Sequence, residues 1–367
     1  MSAFITSIGT ASPKHRLKQS EIADFMAINL KLDENQRREL QVLYRATGIQ
    51  ERYTVLEDYT RSIGSFEFFP NSEQLEPFPT VSKRLEVFKK EALPLSITAI
   101  KNCLGTADPG ELTHLITVSC TGMYAPGIDI ELTHSLGLSP SIRRTSINFM
   151  GCYAAINALK VAAQACLADR NAKVLVVCVE LCSLHFQKYN TEDNILANAL
   201  FGDGAAAVLV EGEANGPRPL SMEAFHCTLA PNGHKDMAWS IGDLGFEMAL
   251  SSYVPEIIKN GIGDLTRELL SQIDKDLMEI EYYAIHPGGK KILDAIEEEL
   301  SIDRHRNEHA HQVLRRYGNM SSPTILFVLN SIITAMSDQD INKHILSFAF
   351  GPGLTLESML LKVANPN

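Results

Sequence analysis

A cysteine, a histidine and an asparagine stand at matched places in the chain: Cys152 after Gly151, His286 ahead of Pro287-Gly288-Gly289, and Asn319 after Gly318. Cys152 is followed by Ala154-Ala155-Ile156-Asn157-Ala158-Leu159, with apolar residues at 154, 155, 158, 159 and 162, a spacing that predicts a buried helix. Gly151 permits a tight turn into it. A cysteine at a helix start meets unpaired N–H groups and the positive end of the helix dipole, both of which favour the thiolate. With an imidazolium beside it, such a thiolate attacks thioesters. An imidazole and a side-chain amide together donate two hydrogen bonds to a developing oxyanion.

The elements that must position these residues come in two similar sets. In the first, the β-rich run His114–Ser119 ends at Cys120-Thr121-Gly122, and 32 residues separate Cys120 from Cys152. In the second, Tyr282–His286 reads as a strand, and 33 residues separate His286 from Asn319, ahead of the apolar helix Thr324–Met336. Each set closes on a buried strand, Lys173–Glu180 in one and Ile345–Phe350 in the other, the latter ending at Gly351-Pro352-Gly353. Ala3–Ile8, Ile142–Ile147 and Ala205–Glu211 read as further strands. Gln19–Leu30, Glu34–Thr47, Val81–Leu104, Asp129–Leu136, Lys290–Leu300 and Ala310–Tyr317 read as helices, and Phe66–Thr80 as an irregular loop. The connection Gly212–Pro219 divides the chain into halves 1–214 and 215–367. Duplication of this kind predicts two similar α/β layers facing each other, with Cys152, His286 and Asn319 meeting in the crevice.

At 367 residues, 45% hydrophobic and 21% charged, the chain can hold two domains or one duplicated core. A net charge of −11 speaks against general nucleic-acid or acidic-membrane binding, so an anionic ligand needs a local basic patch. The start Met1-Ser2-Ala3-Phe4-Ile5-Thr6 has no basic segment, and the seven cysteines follow no repeating frame. The apolar stretch Ile325–Val328 is far short of the roughly 20 residues of a membrane span. These features predict a cytoplasmic protein with free thiols. Cys178, Cys182 and His185 admit a different reading, a metal or redox thiol site in a binding protein, but no fourth ligand of the kind structural zinc uses accompanies them.

Five separated motifs occur in order: Gly151-Cys152, Ala199-Leu200-Phe201-Gly202-Asp203-Gly204-Ala205-Ala206, Ile285-His286-Pro287-Gly288-Gly289, Tyr317-Gly318-Asn319-Met320-Ser321-Ser322 and Phe350-Gly351-Pro352-Gly353-Leu354-Thr355. Together they resemble the type III polyketide synthases, the chalcone-synthase-like condensing enzymes, over about Ala3 to Leu361. The resemblance implies an α/β thiolase-like fold of duplicated αβαβα layers with mixed sheets, a homodimer, and no cofactor beyond coenzyme A thioesters as substrates. It implies decarboxylative condensation of an acyl-CoA starter with malonyl-CoA, with Cys152 as acyl-carrying nucleophile and His286 and Asn319 as its partners. Ketoacyl synthases use the same three residue types but carry His-Gln-Ala-Asn where this chain has His286-Pro287-Gly288-Gly289. Degradative thiolases use a second cysteine near the C-terminus, whereas the last cysteine here is Cys227. A ketoacyl-synthase-III-like condensing enzyme remains the neighbouring alternative.

The same resemblance assigns a cavity. Phe201 matches the phenylalanine between the coenzyme A tunnel and the reaction chamber, and Met248 falls where plant enzymes have a second gatekeeper phenylalanine. Cys120, Cys182 and His185 fall on small hydroxyl positions, Trp239 on a glycine, and Ala125 on the methionine that crosses the plant dimer. Ser321 joins the cavity wall, Gly351 and Pro352 its floor, and Arg45 is the one cation near the plant coenzyme A site. The Cys120-Thr121-Gly122 stretch is similar to bacterial members. A flexible Met248 and an apolar corner at Cys120 and Ala125 predict an aliphatic starter and an alkylpyrone or alkylresorcinol-type product. Trp239, by removing volume, supports the alternative of a malonyl-primed synthase making a small polyhydroxylated aromatic.

Overall fold

A computed structural model describes residues 2–189, 191–230, 233 and 235–366. Its strands are β1 (Phe4–Ala11), β2 (His15–Lys18), β3 (Glu51–Thr54), β4 (His114–Ser119), β5 (Arg143–Asn148), β6 (Lys173–Leu181), β7 (Asp203–Glu211), β8 (Leu220–Leu229), β9 (Met237–Gly242), β10 (Gly245–Leu250), β11 (Tyr282–Ile285), β12 (His344–Gly351) and β13 (Thr355–Val363). The helices are α1 (Gln19–Asn29), α2 (Glu34–Ala46), α3 (Val81–Leu104), α4 (Ile128–Ser135), α5 (Ala154–Ala168), α6 (Glu192–Leu200), α7 (Val254–Ser271), α8 (Lys290–Glu299), α9 (Glu308–Tyr317) and α10 (Pro323–Ala335).

Hydrogen bonding runs through nine strands in the order β11-β12-β13-β8-β1-β7-β6-β4-β5. The halves join where β1 meets β8, through Phe4↔Ser221 and Ile5↔Leu220 only. β4 pairs in parallel with β5 and β6, and β11 with β12, while the other ladders are antiparallel, so the sheets are mixed. Helices α5 and α10 lie between the two runs of strands, α3 covers the first run from outside, and α7 with α8 covers the second. The outcome is five layers, αβαβα. β6 and β7 are buried almost throughout, as strands covered on both faces must be. Alanines at 154, 155, 158, 162 and 163 are buried along α5, and such small side chains let the two sheets approach closely across it.

The duplication is real but incomplete. β5 has no counterpart in the second half, where β11 forms the sheet edge. β5 itself is an edge strand and largely exposed. The sequence reading assigned no element between residues 220 and 281, where β8, the β9–β10 hairpin and α7 lie, and it also left out β2, β3, α6 and β13. β8 and α6 mix polar and apolar residues without a clean period, whereas α7 carries a regular apolar face at Val254, Ile258, Ile262, Leu265 and Leu269 and β13 is buried almost throughout, so both were readable.

Candidate active site

The two central helices begin at the site, and each start is built alike. Cys152 lies in a short turn, Gly151–Tyr153, immediately before α5, and Asn319 lies four residues before α10. Cys120 and His286 occupy the equivalent ends of β4 and β11. Left-handed backbone at Phe149 (φ 58°) and Ser321 (φ 57°) aims these turns, a conformation that non-glycine residues adopt at a cost of order 1–3 kcal/mol. Gly151 (φ 77°) cannot be replaced cheaply, since a Cβ there would also collide with the Pro352 ring.

Asn319 ties the site together. Its Oδ1 accepts from the Ser321 N–H at 2.8 Å and from the Cys152 thiol at 3.8 Å, and its Nδ2 donates to the Gly288 carbonyl at 3.3 Å. The amide thus spans from the nucleophile candidate to the turn after His286. A parallel bridge between Phe201 and Asn319 holds its backbone, with Gly202 N–H donating to the Asn319 carbonyl and Asn319 N–H to the Leu200 carbonyl. Arg52 Nη1 donates to the Phe201 carbonyl, and its Nε donates to Gln19 Oε1 at 2.9 Å, fixing that crossing. His286 is buried, and neither ring nitrogen has a hydrogen-bond partner among the described residues.

Burial acts against the ionisation that the sequence suggested. It pushes the Cys152 thiol up to about 12 and the His286 imidazole down to about 3. Burial therefore opposes the thiolate that the helix start beside Cys152 favours.

Cys152, His286, Asn319 and Ser321 line one cavity of about 260 Å³ with Phe201, Met248, Cys120, Cys182, His185, Trp239 and Pro352. Three expected residues do not line it. Gly351 sits behind Pro352, packed so closely on the Tyr153 ring that a Cβ would collide with it. Arg45 lies exposed on α2, its Nε turned back to the Gln41 carbonyl, while Leu43, Ala46 and Thr47 face the cavity. The cations that line the cavity among the described residues are Arg52, Lys290 and Lys291. Ala125 is also absent from the wall. The corner behind Cys120 is closed: Trp239 Nε1 donates to the Cys120 carbonyl at 2.8 Å, Gly151 N–H donates to Cys120 Sγ at 3.0 Å, and Phe88 packs against Gly122.

His185 has a fixed tautomer. Its Nε2–H donates to the Thr121 carbonyl at 2.6 Å, and Nδ1 accepts the Phe246 N–H at 3.1 Å. The ring stacks on Phe246 at 4.0 Å, so both nitrogens are spent and neither is left for a metal. Burial holds it down to about 3. Between that value and the ordinary 6.5 the unfolded chain binds the extra proton, so stability falls as pH falls through this range. From pH 7.5 to 5, wild type should lose on the order of 2 kcal/mol more stability than His185→Gln in chemical denaturation. Equal losses would contradict the assignment.

Sequence reasoning missed Glu180, a fully buried carboxylate at the end of β6. It accepts from Cys120 N–H at 2.9 Å and Thr121 Oγ1 at 2.8 Å on one oxygen, and from Ser322 Oγ at 2.8 Å on the other. Burial raises it to about 7. An acidic residue ending an otherwise apolar strand was the available signal.

Residues 1–214 match the family pattern described as "Chalcone and stilbene synthases, N-terminal domain", and residues 222–365 match its C-terminal domain. The chain belongs to this family and is a type III polyketide synthase, an acyltransferase. It is 31% identical over 367 residues to "Alpha-pyrone synthesis polyketide synthase-like Pks18" of Mycobacterium tuberculosis, covering 98% of this chain and 91% of that one. The synthase also superposes on the C-terminal type III polyketide synthase domain of Steely1, a type I/III hybrid from Dictyostelium, with a TM-score of 0.91, 27% identity and all of both chains covered. Against PKS-I of the brown alga Ectocarpus siliculosus the TM-score is 0.90 at 28% identity, covering 99% of this chain and 98% of that one. These matches bear out the thiolase-like α/β fold expected from the motifs.

Proposed function

We propose that Cys152 carries the growing acyl chain as a thioester, with His286 and Asn319 as its acid–base and oxyanion partners. The supporting observation is the Asn319 amide, which spans from the Cys152 thiol to the His286 turn, while neither His286 ring nitrogen has a partner among the described residues. His286 takes the thiol proton as sulfur attacks the starter thioester, and the coenzyme A thiolate leaves with that proton. The cavity's net charge does not change in this transfer, which suits its burial. Malonyl-CoA then loses carbon dioxide. The electron pair of the broken C–C bond becomes an enolate, and its oxygen accepts from His286 and from the second N–H of Asn319. The enolate carbon attacks the Cys152 thioester, sulfur leaves, and the chain is two carbons longer on coenzyme A.

The substrates on this reading are an acyl-CoA starter and malonyl-CoA, with no other cofactor. Lys290 and Lys291, at the start of α8, meet the coenzyme A phosphates in place of Arg45. The product is an alkylpyrone or alkylresorcinol type, a reading supported by the name of the mycobacterial relative and the apolar wall of the cavity. The exposed edge strand β5 leaves a row of unpaired backbone groups, which supports a homodimer pairing there. The two halves, 1–214 and 215–367, each supply one part of the catalytic set. No helix among the described residues is long and apolar enough to cross a membrane, and we place the enzyme in the cytoplasm.

Incubation with malonyl-CoA and a panel of acyl-CoA starters, read by mass spectrometry, tests this. Starter-derived pyrones or resorcinols are expected. Full product formation from malonyl-CoA alone, with fatty acyl-CoAs only inhibiting, would replace this reading with the malonyl-primed one that Trp239 favours.

A further inference from the structure

The cavity has an apolar branch that the chemistry at Cys152 does not use. Leu17 on β2, and Ile22 and Met26 one turn apart on the inward face of α1, line the same cavity as Cys152. They are exposed by 2%, 5% and 3%, so they belong to an interior wall and not to the mouth. Tyr59 and Phe186 continue that wall, and both are buried. Of the polar groups nearby, Thr54 Oγ1 donates to Ser183 Oγ at 2.7 Å and Ser183 Oγ to Asp203 Oδ2 at 2.6 Å, while Arg52 also lines the cavity, with its Nη2 unpartnered among the described residues. The Leu17, Ile22, Met26 and Phe186 side chains themselves offer water no strong hydrogen-bond partner.

An acyl group on Cys152 must put its hydrocarbon somewhere. The corner behind Cys120 is closed by Trp239, and Gly122 behind it is packed against Phe88. The mouth is bordered by exposed residues such as Lys291 and Ala46, where an alkyl chain stays wet. The α1 wall is apolar and lines the same cavity as Cys152. Resting on the reading of Cys152 as acyl carrier, we propose that this branch seats the alkyl tail of the starter and that Ile22 and Met26 set its length. Met26 is unbranched and adjusts its shape, so the end of the branch accepts neighbouring chain lengths while still excluding much longer ones.

The test compares acyl loading across saturated acyl-CoAs from about C4 to C18, scored as ratios between chain lengths within one protein sample. Wild type should gain about fourfold in loading efficiency per buried methylene, up to a clear optimum. Met26→Ala should move the optimum to longer chains and Ile22→Phe to shorter ones. Independently of any variant, an acyl-CoA with a photoactivatable diazirine at its terminal carbon should label the peptide containing Ile22 and Met26 in the wild-type enzyme. Label on the β9–β10 hairpin, or an optimum that ignores both α1 variants and moves only with Cys120→Phe, overturns the placement of the tail and leaves the aliphatic starter intact. If wild type loads no acyl-CoA beyond the shortest, the aliphatic starter itself falls, and this inference with it.

Discussion

Cys152→Ala will accept no acyl group from any starter, while still releasing carbon dioxide from malonyl-CoA. Cys152 is the cysteine at the start of α5 whose thiol meets the Asn319 amide, and its loss removes the only sulfur so placed. Other thiols line or back the cavity, yet Cys120 already accepts the Gly151 N–H, and Cys152 is the thiol that donates to the Asn319 amide. The groups proposed to stabilise the enolate, His286 and Asn319, remain in the variant. Intact-protein mass spectra with acyl-CoA should show one adduct in wild type and none in Cys152→Ala. An adduct of undiminished size in the variant, mapped to Cys120 or Cys182, would refute the assignment.

Asn319→Ala and His286→Ala should separate two steps that wild type performs at one place. Removing one preorganised oxyanion donor costs about 10²–10³ in rate. Asn319→Ala should therefore lose that much in malonyl-CoA decarboxylation and in condensation, while loading of Cys152 falls far less. His286→Ala should lose both, because it removes the proposed acceptor of the thiol proton as well as an enolate donor. Single-turnover loading and carbon dioxide release, measured on the same preparations, give the comparison. Normal decarboxylation by Asn319→Ala would remove it from the donor role.

Much of this was legible in the sequence, and the reasons are local. β4 and α3 fall on the predicted residues, because apolar runs bounded by glycine, proline or a capping threonine specify both type and ends. The matched intervals before Cys152 and Asn319 already implied two equivalent helix starts facing one crevice, and the fold places them so. Other features depend on contacts between distant segments. Arg45 is near the cavity in sequence, but the helical phase of α2 turns Leu43 toward the cavity and Arg45 to solvent. The closed corner at Cys120 needs Trp239 from the β9–β10 hairpin, more than a hundred residues away. The pull of burial against charge on Cys152 and His286 comes from the surrounding packing, which no motif records.

The Pro352 ring, pressed against Gly151, also bears on how such enzymes diversify. The nucleophile turn belongs to the first half of the chain, and the surface that fits it belongs to the second. Met320 against Gly204 and Ser322 on Glu180 repeat the pattern. A gene fusion that joins the first half of one relative to the second half of another would inherit two halves of a lock cut for different keys. Shuffling at the natural midpoint is thus a poor route to new products, and single replacements in the cavity wall a good one, because they leave this seam untouched. Libraries for new chemistry belong on α1 and the hairpin, with residues 151, 204, 320 and 352 held fixed.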